Sequence, residues 1–206
     1  MTRPLDRWAV PIPRDVRFRA IVAVILAAIM LSGCGQFIER VRAANGEEPI
    51  PTALPVEYAY GPWSAVDVTS GTTLLLTRAN RTTLPVVLVG LEAPEGDDQA
   101  CWAANAEDRL RDMVTTREPL WIEYDTSQGL PKDGQRGTFD SQGRAYVYLW
   151  IGDSFMVNVD QLQSGFTVAT EPGEYPYRRQ VAFAALTNTA KEAKTGAFSE
   201  QPCRMP

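Results

Sequence analysis

The sequence predicts an α+β fold, mainly β: a five-stranded closed β-barrel of the oligonucleotide-binding type, with three helices packed beneath it. Three observations lead there. β-prone runs joined by short turns occupy residues 64–69, 72–78 and 83–91, with Ser70-Gly71 and Ala79-Asn80-Arg81 between them. Residues 99–115 then change to helical spacing, placing Ala103, Ala106, Leu110 and Met113 on one face and Glu107, Asp108, Arg111 and Asp112 on the other. Two further strands, "LWIEYD" and "RAYVYLWI", flank a polar, Gly-containing loop at 126–142, and helices follow at 158–164 and at about 177–194. Five strands with a helix inserted after the third fit a small barrel whose closure removes the exposed edges.

The barrel needs only part of the chain. At 206 residues and 45 % hydrophobic, the sequence is sized for one domain, read here as residues 63–206. Residues 1–33 are set apart by five arginines, Arg3, Arg7, Arg14, Arg17 and Arg19, and by the apolar run "AIVAVILAAIM". Eleven residues are too few to span a bilayer. The run leads into "LSGC", and the whole resembles a bacterial lipoprotein signal peptide, in which Cys34 is lipidated and becomes the new amino terminus. The competing reading is an uncleaved membrane anchor with an incidental cysteine. Residues 34–62 mix charge with Pro49, Pro51 and Pro55 and read as a lipidated start and flexible tether, with a short helix possible over 37–44. The expected setting is the cell envelope, with the domain on the extracytoplasmic side and held to the membrane through lipid on Cys34.

Charge and residue types narrow the chemistry. The chain has a net charge of −5; without residues 1–33, 15 basic and 23 acidic residues remain, a net −8. That balance disfavours nucleic acid as a tight partner, since neutralising phosphates needs basic residues. There is no histidine, which excludes Ser-His-Asp and Cys-His catalysis and histidine-containing zinc sites. Cys101 and Cys203 either form one disulfide or remain two buried thiols.

The run "VVLVGLEAPEGDD" carries the candidate chemistry. A buried strand ends on two carboxylates, Glu92 and Glu95, around an Ala93-Pro94 corner. This exit, the Gly143-Arg144 entry to "AYVYLWIGDSFMVN", the helix end "LQSGFTVA", and the pair "CWAANAEDRLRDMV" and "GAFSEQPC" resemble, in that order, the staphylococcal-nuclease-like (thermonuclease) family. The resemblance covers roughly residues 64–203 and implies that family's barrel and a Cys101–Cys203 disulfide. It also implies a phosphodiesterase acting on DNA or RNA through Ca²⁺, held by two carboxylates and a carbonyl, with two arginines on the phosphate and a glutamate near the attacking water.

Carried over residue by residue, Glu95 takes the place near the water, Glu92 the second metal carboxylate, Ala93 the carbonyl ligand, and Arg144 the late-strand arginine. Glu92 is one methylene longer than the family's aspartate. The remaining two parts are absent. The family's Asp-Gly-Asp-Thr turn falls on residues 69–72, leaving Gly71 for the first metal carboxylate, and Val87 replaces the early-strand arginine. Asp67, Arg78 and Arg81 are the candidate substitutes. The cofactor expectation is accordingly either none or Ca²⁺.

Bland roles compete with these. Glu92 and Glu95 can be a solvated strand exit, and Arg144 can pair with one of them structurally. Asp97 and Asp98 read as surface charges, and Asn158 as a helix anchor. The alternation of Tyr146, Tyr148 and Trp150, like Trp63, Trp102 and Trp121, reads as core before it reads as base-stacking. The expectation is a lipid-anchored, monomeric, thermonuclease-like domain with a degenerate catalytic set, binding an envelope protein or serving structurally. The alternatives are a weak or metal-altered nuclease and a non-cleaving nucleic-acid-binding module.

Overall fold

Alternation decides which residues fill the barrel. Leu74 and Leu76 from one strand, Val86 and Leu88 from the next, Leu120 and Ile122, and Val147 and Leu149 are all buried, each pair two residues apart on one strand face. The computed structural model describes residues 47–94, 98–115, 118–125, 127, 139–171 and 177–204. The chain divides into units Met1–Arg40 and Val41–Pro206, and every described residue lies in the second. Cys34, the leader and the helix expected over 37–44 lie outside the described residues, as do Glu95, Asp97 and most of the 126–142 loop.

The elements are β1 (Tyr60–Ser70), β2 (Thr73–Thr77), β3 (Thr83–Leu88), β4 (Leu91–Glu92), α1 (Gln99–Val114), β5 (Leu120–Tyr124), β6 (Ala145–Ile151), β7 (Phe155–Met156), α2 (Val157–Gln163), β8 (Val168–Ala169) and α3 (Gln180–Glu192). Short 3-10 turns add Val56–Tyr58 and Gly196–Phe198. Hydrogen bonding runs β3-β2-β1-β5-β6-β7, and a parallel β3–β6 pairing, Val86 with Ala145 through Leu88 with Val147, closes five strands into a barrel. The expected five-stranded barrel with three helices is the observed architecture.

Two strand boundaries differ from the sequence reading. β1 starts at Tyr60 because Tyr60 and Trp63 both pair with β5, across an irregularity at Gly61-Pro62 in the segment read as tether. The run expected over 83–91 divides in two because Gly90 takes a left-handed φ of 77°. A Cβ there would stand 2.5 Å from the Tyr177 ring, so glycine is required both for the bend and for the close approach. Beyond it, Leu91 and Glu92 leave the barrel to pair with β8.

The helices are fixed by buried polar side chains. Asn158 at the start of α2 accepts from the Leu149 amide at 2.9 Å and donates to the Val89 and Val147 carbonyls at 3.2 and 3.4 Å. It satisfies backbone groups where β3 and β6 diverge, the anchoring role expected of it. Gln161 donates to the carbonyls of Gly71 and Ala106, tying the β1–β2 turn to α1. Ala106, Leu110 and Val114 are the buried face of α1. Tyr148 and Trp150 are fully buried, so the aromatic alternation of β6 is core.

Beneath the barrel lies a cluster of charges. Glu123 of β5 accepts from Arg178 and, at 2.8 Å, from Arg179, both in the approach to α3. Trp150 Nε1 donates to the second Glu123 oxygen at 3.3 Å. The Arg179 guanidinium sits 4.1 Å from the Tyr148 ring centre and also donates to Glu48 at 2.9 Å. Tyr148 donates its hydroxyl to Asp125, which accepts the Arg178 amide as well. Burial, and then the Asp125 charge, push the Tyr148 hydroxyl well above its ordinary pKa, so it stays a donor. For Arg178, burial opposes the charged form, but Glu123 and the neighbouring negative groups outweigh it and raise the pKa. Of the segment read as tether, residues 47–59 are held here: the Glu48 amide donates to the Arg178 carbonyl at 2.8 Å and the Leu54 amide to the Asp153 carbonyl at 2.7 Å.

A disulfide joins Cys101 of α1 to Cys203, across a sequence separation of 102. Reduction is expected to lower unfolding stability by about 4–5 kcal/mol through the longer unfolded chain it releases, read as the difference between urea curves with and without reductant. Glu123→Gln leaves two buried arginines short of a carboxylate and is expected to cost about 3–5 kcal/mol, measured in the same urea titration. A loss under about 1 kcal/mol in either case would contradict the corresponding account.

Candidate functional site

The face where phosphodiester chemistry was expected is assembled from the β1–β2 turn, the outer side of β3, the exit through β4 and the entry to β6. Its geometry starts with the turn. Ser70 pairs with Thr73 after a bulge, so Gly71 and Thr72 make a two-residue connection. Gly71 is pressed against α1: a Cβ there would lie 2.4 Å from the Ala106 Cβ. With the backbone held that close, the neighbouring hydroxyls turn toward one another. Thr73 Oγ1 lies 2.7 Å from both Thr69 Oγ1 and Ser70 Oγ, and the Thr72 amide donates to Ser70 Oγ at 3.2 Å. The turn therefore presents neutral hydroxyls that already bond to each other.

Val87 is the next piece. It pairs with Thr73 on one side and Tyr146 on the other, so these three half-buried or buried side chains form one row across β2, β3 and β6. The row carries no charge.

Arg144 enters β6 from a tight local structure. Its Nε donates to Asp140 at 2.6 Å, and the other Asp140 oxygen accepts the Arg144 and Gln142 amides at 2.9 Å each. Gly143, at φ +75°, completes the turn. Among the described residues Arg144 thus has a structural carboxylate partner, and it is Asp140. Burial alone would raise the Asp140 carboxyl; the amide of Arg144, its guanidinium and the Gln142 amide together overcome this and hold it below the usual carboxylate range.

Glu92 is exposed on β4, opposite Val168, and Ala93 is half-buried beside it. The negative charge of Glu92 reaches Tyr177. Burial pushes the Tyr177 hydroxyl up to about 12, the hydrogen bond to the Thr170 carbonyl opposes this, and Glu92 leads the charges that add to it. Glu95 lies outside the described residues. Asp98 occupies the N-cap position of α1 without making a side-chain capping bond.

Residues 85–200 match the family model described as staphylococcal nuclease homologue. The chain belongs to that family. No curated protein matches it. Within the staphylococcal nuclease homologues, calcium implies an oxygen-rich shell with several carboxylates. Among the described residues no group of three or more Asp, Glu, Cys or His side chains could hold a metal ion. The described part of this face, Glu92, the Ala93 carbonyl and a turn of mutually bonded hydroxyls, supplies fewer acidic oxygens than a calcium shell draws on.

The candidate substitutes stand elsewhere. Asp67 lies opposite Leu75 in β1 and belongs to the surroundings of Arg111, whose guanidinium is pushed further toward its charged form. The Glu107 hydrogen bond leads that shift, partial desolvation opposes it, and the charges of Glu107, Asp108 and Asp67 add. Arg78 and Arg81 sit beyond the Thr77–Thr83 end of the β2–β3 ladder. The Thr73–Val87 pair is four residues away along it, roughly 13 Å at ~3.3 Å per residue.

Sequence reasoning missed Asp140, although "DSQGR" carries the signal: an Asp whose side chain closes on amides two and four residues ahead, with glycine before the arginine. A lowered folded pKa means that the stability Asp140 contributes is present above its ordinary value of about 3.9 and is lost as pH falls through the folded value. Asp140→Asn is expected to lower the urea midpoint at pH 7 and to flatten its fall below about pH 4; parallel pH profiles for the two proteins would remove the Asp140–Arg144 lock as a stabilising element.

Proposed function

We propose that this family member is a lipid-anchored protein of the cell envelope whose nuclease face has lost its catalytic set, leaving a non-catalytic binding or structural domain. The observation that carries the reading is the β1–β2 turn, where Thr69, Ser70, Thr72 and Thr73 hydroxyls occupy the position of a metal carboxylate. The close packing of Gly71 on Ala106 suits the glycine of the family's Asp-Gly-Asp-Thr turn, which moves the register by one and puts Thr72 in place of the carboxylate. Neither register supplies an acid.

Val87 removes the second requirement. An arginine there would clamp the phosphate bidentately with a permanent charge, and valine offers only bulk. Loss of one preorganised electrostatic partner typically costs about 10²–10³ in rate, and effects within one site combine unevenly. Arg144, already paired with Asp140, would have to exchange that partner for phosphate.

Membrane attachment rests on the basic leader, the eleven-residue apolar run and Cys34. No helix of the described residues is long and apolar enough to cross a membrane. The partner is taken to be an envelope protein, with the domain monomeric on the extracytoplasmic side; the net −8 outside residues 1–33 disfavours nucleic acid. A weak or metal-altered nuclease is the second reading, favoured by Glu92, the Ala93 carbonyl, Glu95 and Arg144 all remaining.

Hydrolysis of single-stranded DNA and RNA by the full chain, with Ca²⁺, Mg²⁺ and Mn²⁺ in turn, separates the two. The expected result is no cleavage above the Glu95→Gln control. The double substitution Thr72→Asp with Val87→Arg is expected to raise calcium-dependent cleavage above that baseline. Metal-dependent cleavage by the unaltered chain that vanishes in Glu95→Gln would establish the nuclease instead.

A further inference from the structure

Six arginines among the described residues have partly or wholly buried side chains, and five of them face carboxylates. Arg109 pairs with Asp160 at 2.7 Å, Arg111 with Glu107 and Asp108, Arg144 with Asp140, and Arg178 and Arg179 with Glu123 and Glu48. Arg78 is the exception. No described carboxylate lies within salt-bridge reach of it, and its guanidinium instead stands 4.2 Å from the centre of the buried Trp63 ring. Its Nε is covered and holds no hydrogen-bond partner among the described residues.

Arg78 borders a cleft of about 690 Å³ between β1, the end of β2, the end of α1 and the start of β5. Pro62, Val114 and Leu120 supply apolar wall, Ser64 and Thr77 supply hydroxyls, and Glu118 is the acid in the lining. The volume is in the range of small-molecule sites, which combine apolar walls with a few placed polar groups.

Stacking on an indole orients a guanidinium without neutralising it. The planar fork of an arginine matches the two oxygens of a carboxylate or phosphate, and the bond is charge-assisted. A partly desolvated cation without a carboxylate partner is costly, so an anion that enters the cleft recovers what the described residues do not supply. We propose that this cleft, at the opposite end of the β2–β3 ladder from the nuclease face, binds an oxyanion carried on a small apolar body. Arg78 holds the anion, Trp63 positions Arg78, and Glu118 sets the affinity by repulsion. The inference does not depend on whether the nuclease face is active.

The test titrates the full chain with hexanoate, hexyl phosphate and neutral hexanol, following the Arg78 Nε–Hε resonance and tryptophan fluorescence. At least one anion is expected to bind saturably, with a dissociation constant on the order of millimolar for so small a probe, and hexanol more weakly. The two anions separate a carboxylate source from a phosphate source. Arg78→Gln is expected to weaken anion binding about tenfold or more, Arg78→Lys to weaken it less, and Glu118→Gln to tighten it. Should Arg78→Gln not fold, the tightening in Glu118→Gln decides in its place. Absence of saturable anion binding, hexanol binding as tightly as the anions, or affinity indifferent to Arg78→Gln (to Glu118→Gln where Arg78→Gln does not fold) would overturn the proposal.

Discussion

Glu123 has no solvent exposure, yet it holds two arginines, and the positions of three other segments depend on that carboxylate. Through Arg178 and Arg179 it fixes the approach to α3; through Trp150 it fixes β6; through Glu48, which shares Arg179, it fixes residues before the barrel begins. Buried ion pairs are weak evidence for net stability, because desolvation offsets much of the attraction. What this one supplies is position. An arginine with Glu123 on one side, Glu48 on another and the Tyr148 ring 4.1 Å beneath it has few alternative placements. Phe183 of α3 packs against Tyr148 and Tyr177, so the helix docks where the charges have already aligned it.

Among the described residues, Val87 and the β1–β2 turn bond to none of the charged groups around Glu123. Barrel closure rests on β3–β6 pairing and on Asn158, whose bonds go to main-chain atoms of Val89, Val147 and Leu149. Outward-facing positions such as Val87 and the hydroxyls of the β1–β2 turn can change without disturbing those bonds. The scaffold therefore does not depend on the residues that would carry the chemistry, which is why membership of the family does not settle activity.

The order of elements is legible in the sequence because each segment carries its own period. Leu74 and Leu76, or Ala106 and Leu110, announce strand and helix without help from the rest of the fold. Boundaries are less legible where one residue type has two meanings. Gly61-Pro62 falls in the segment read as tether but is crossed by β1, and Gly90 sits in an otherwise continuous apolar run that it nonetheless bends. Arg178 and Arg179 are hardest: adjacent arginines read as surface, and only the fold brings Glu123 and Glu48 to them. At the candidate site, the neutral residues at 69–72 and Val87 are visible in sequence alone. The Asp140 turn is marked only by the short "DSQGR" run, and the ion pair it makes with Arg144 emerges only once the loop is folded.

The parallel closure also bears on how the chain is made. β3 lies in the barrel between β2 and β6, yet Val86 and Ala145 are roughly sixty residues apart, and such non-local pairing forms slowly. A ribosome delivers the first three strands well before the strand that covers them. During that interval residues 84–89, "LPVVLV", form an open, apolar sheet edge of the kind that recruits other chains. Pro85 stands within that edge, one residue before the β6 pairing begins, and has no amide hydrogen to offer an incoming strand. Pro85, which faces Leu75 in the finished barrel, thus interrupts the row of donors along that edge.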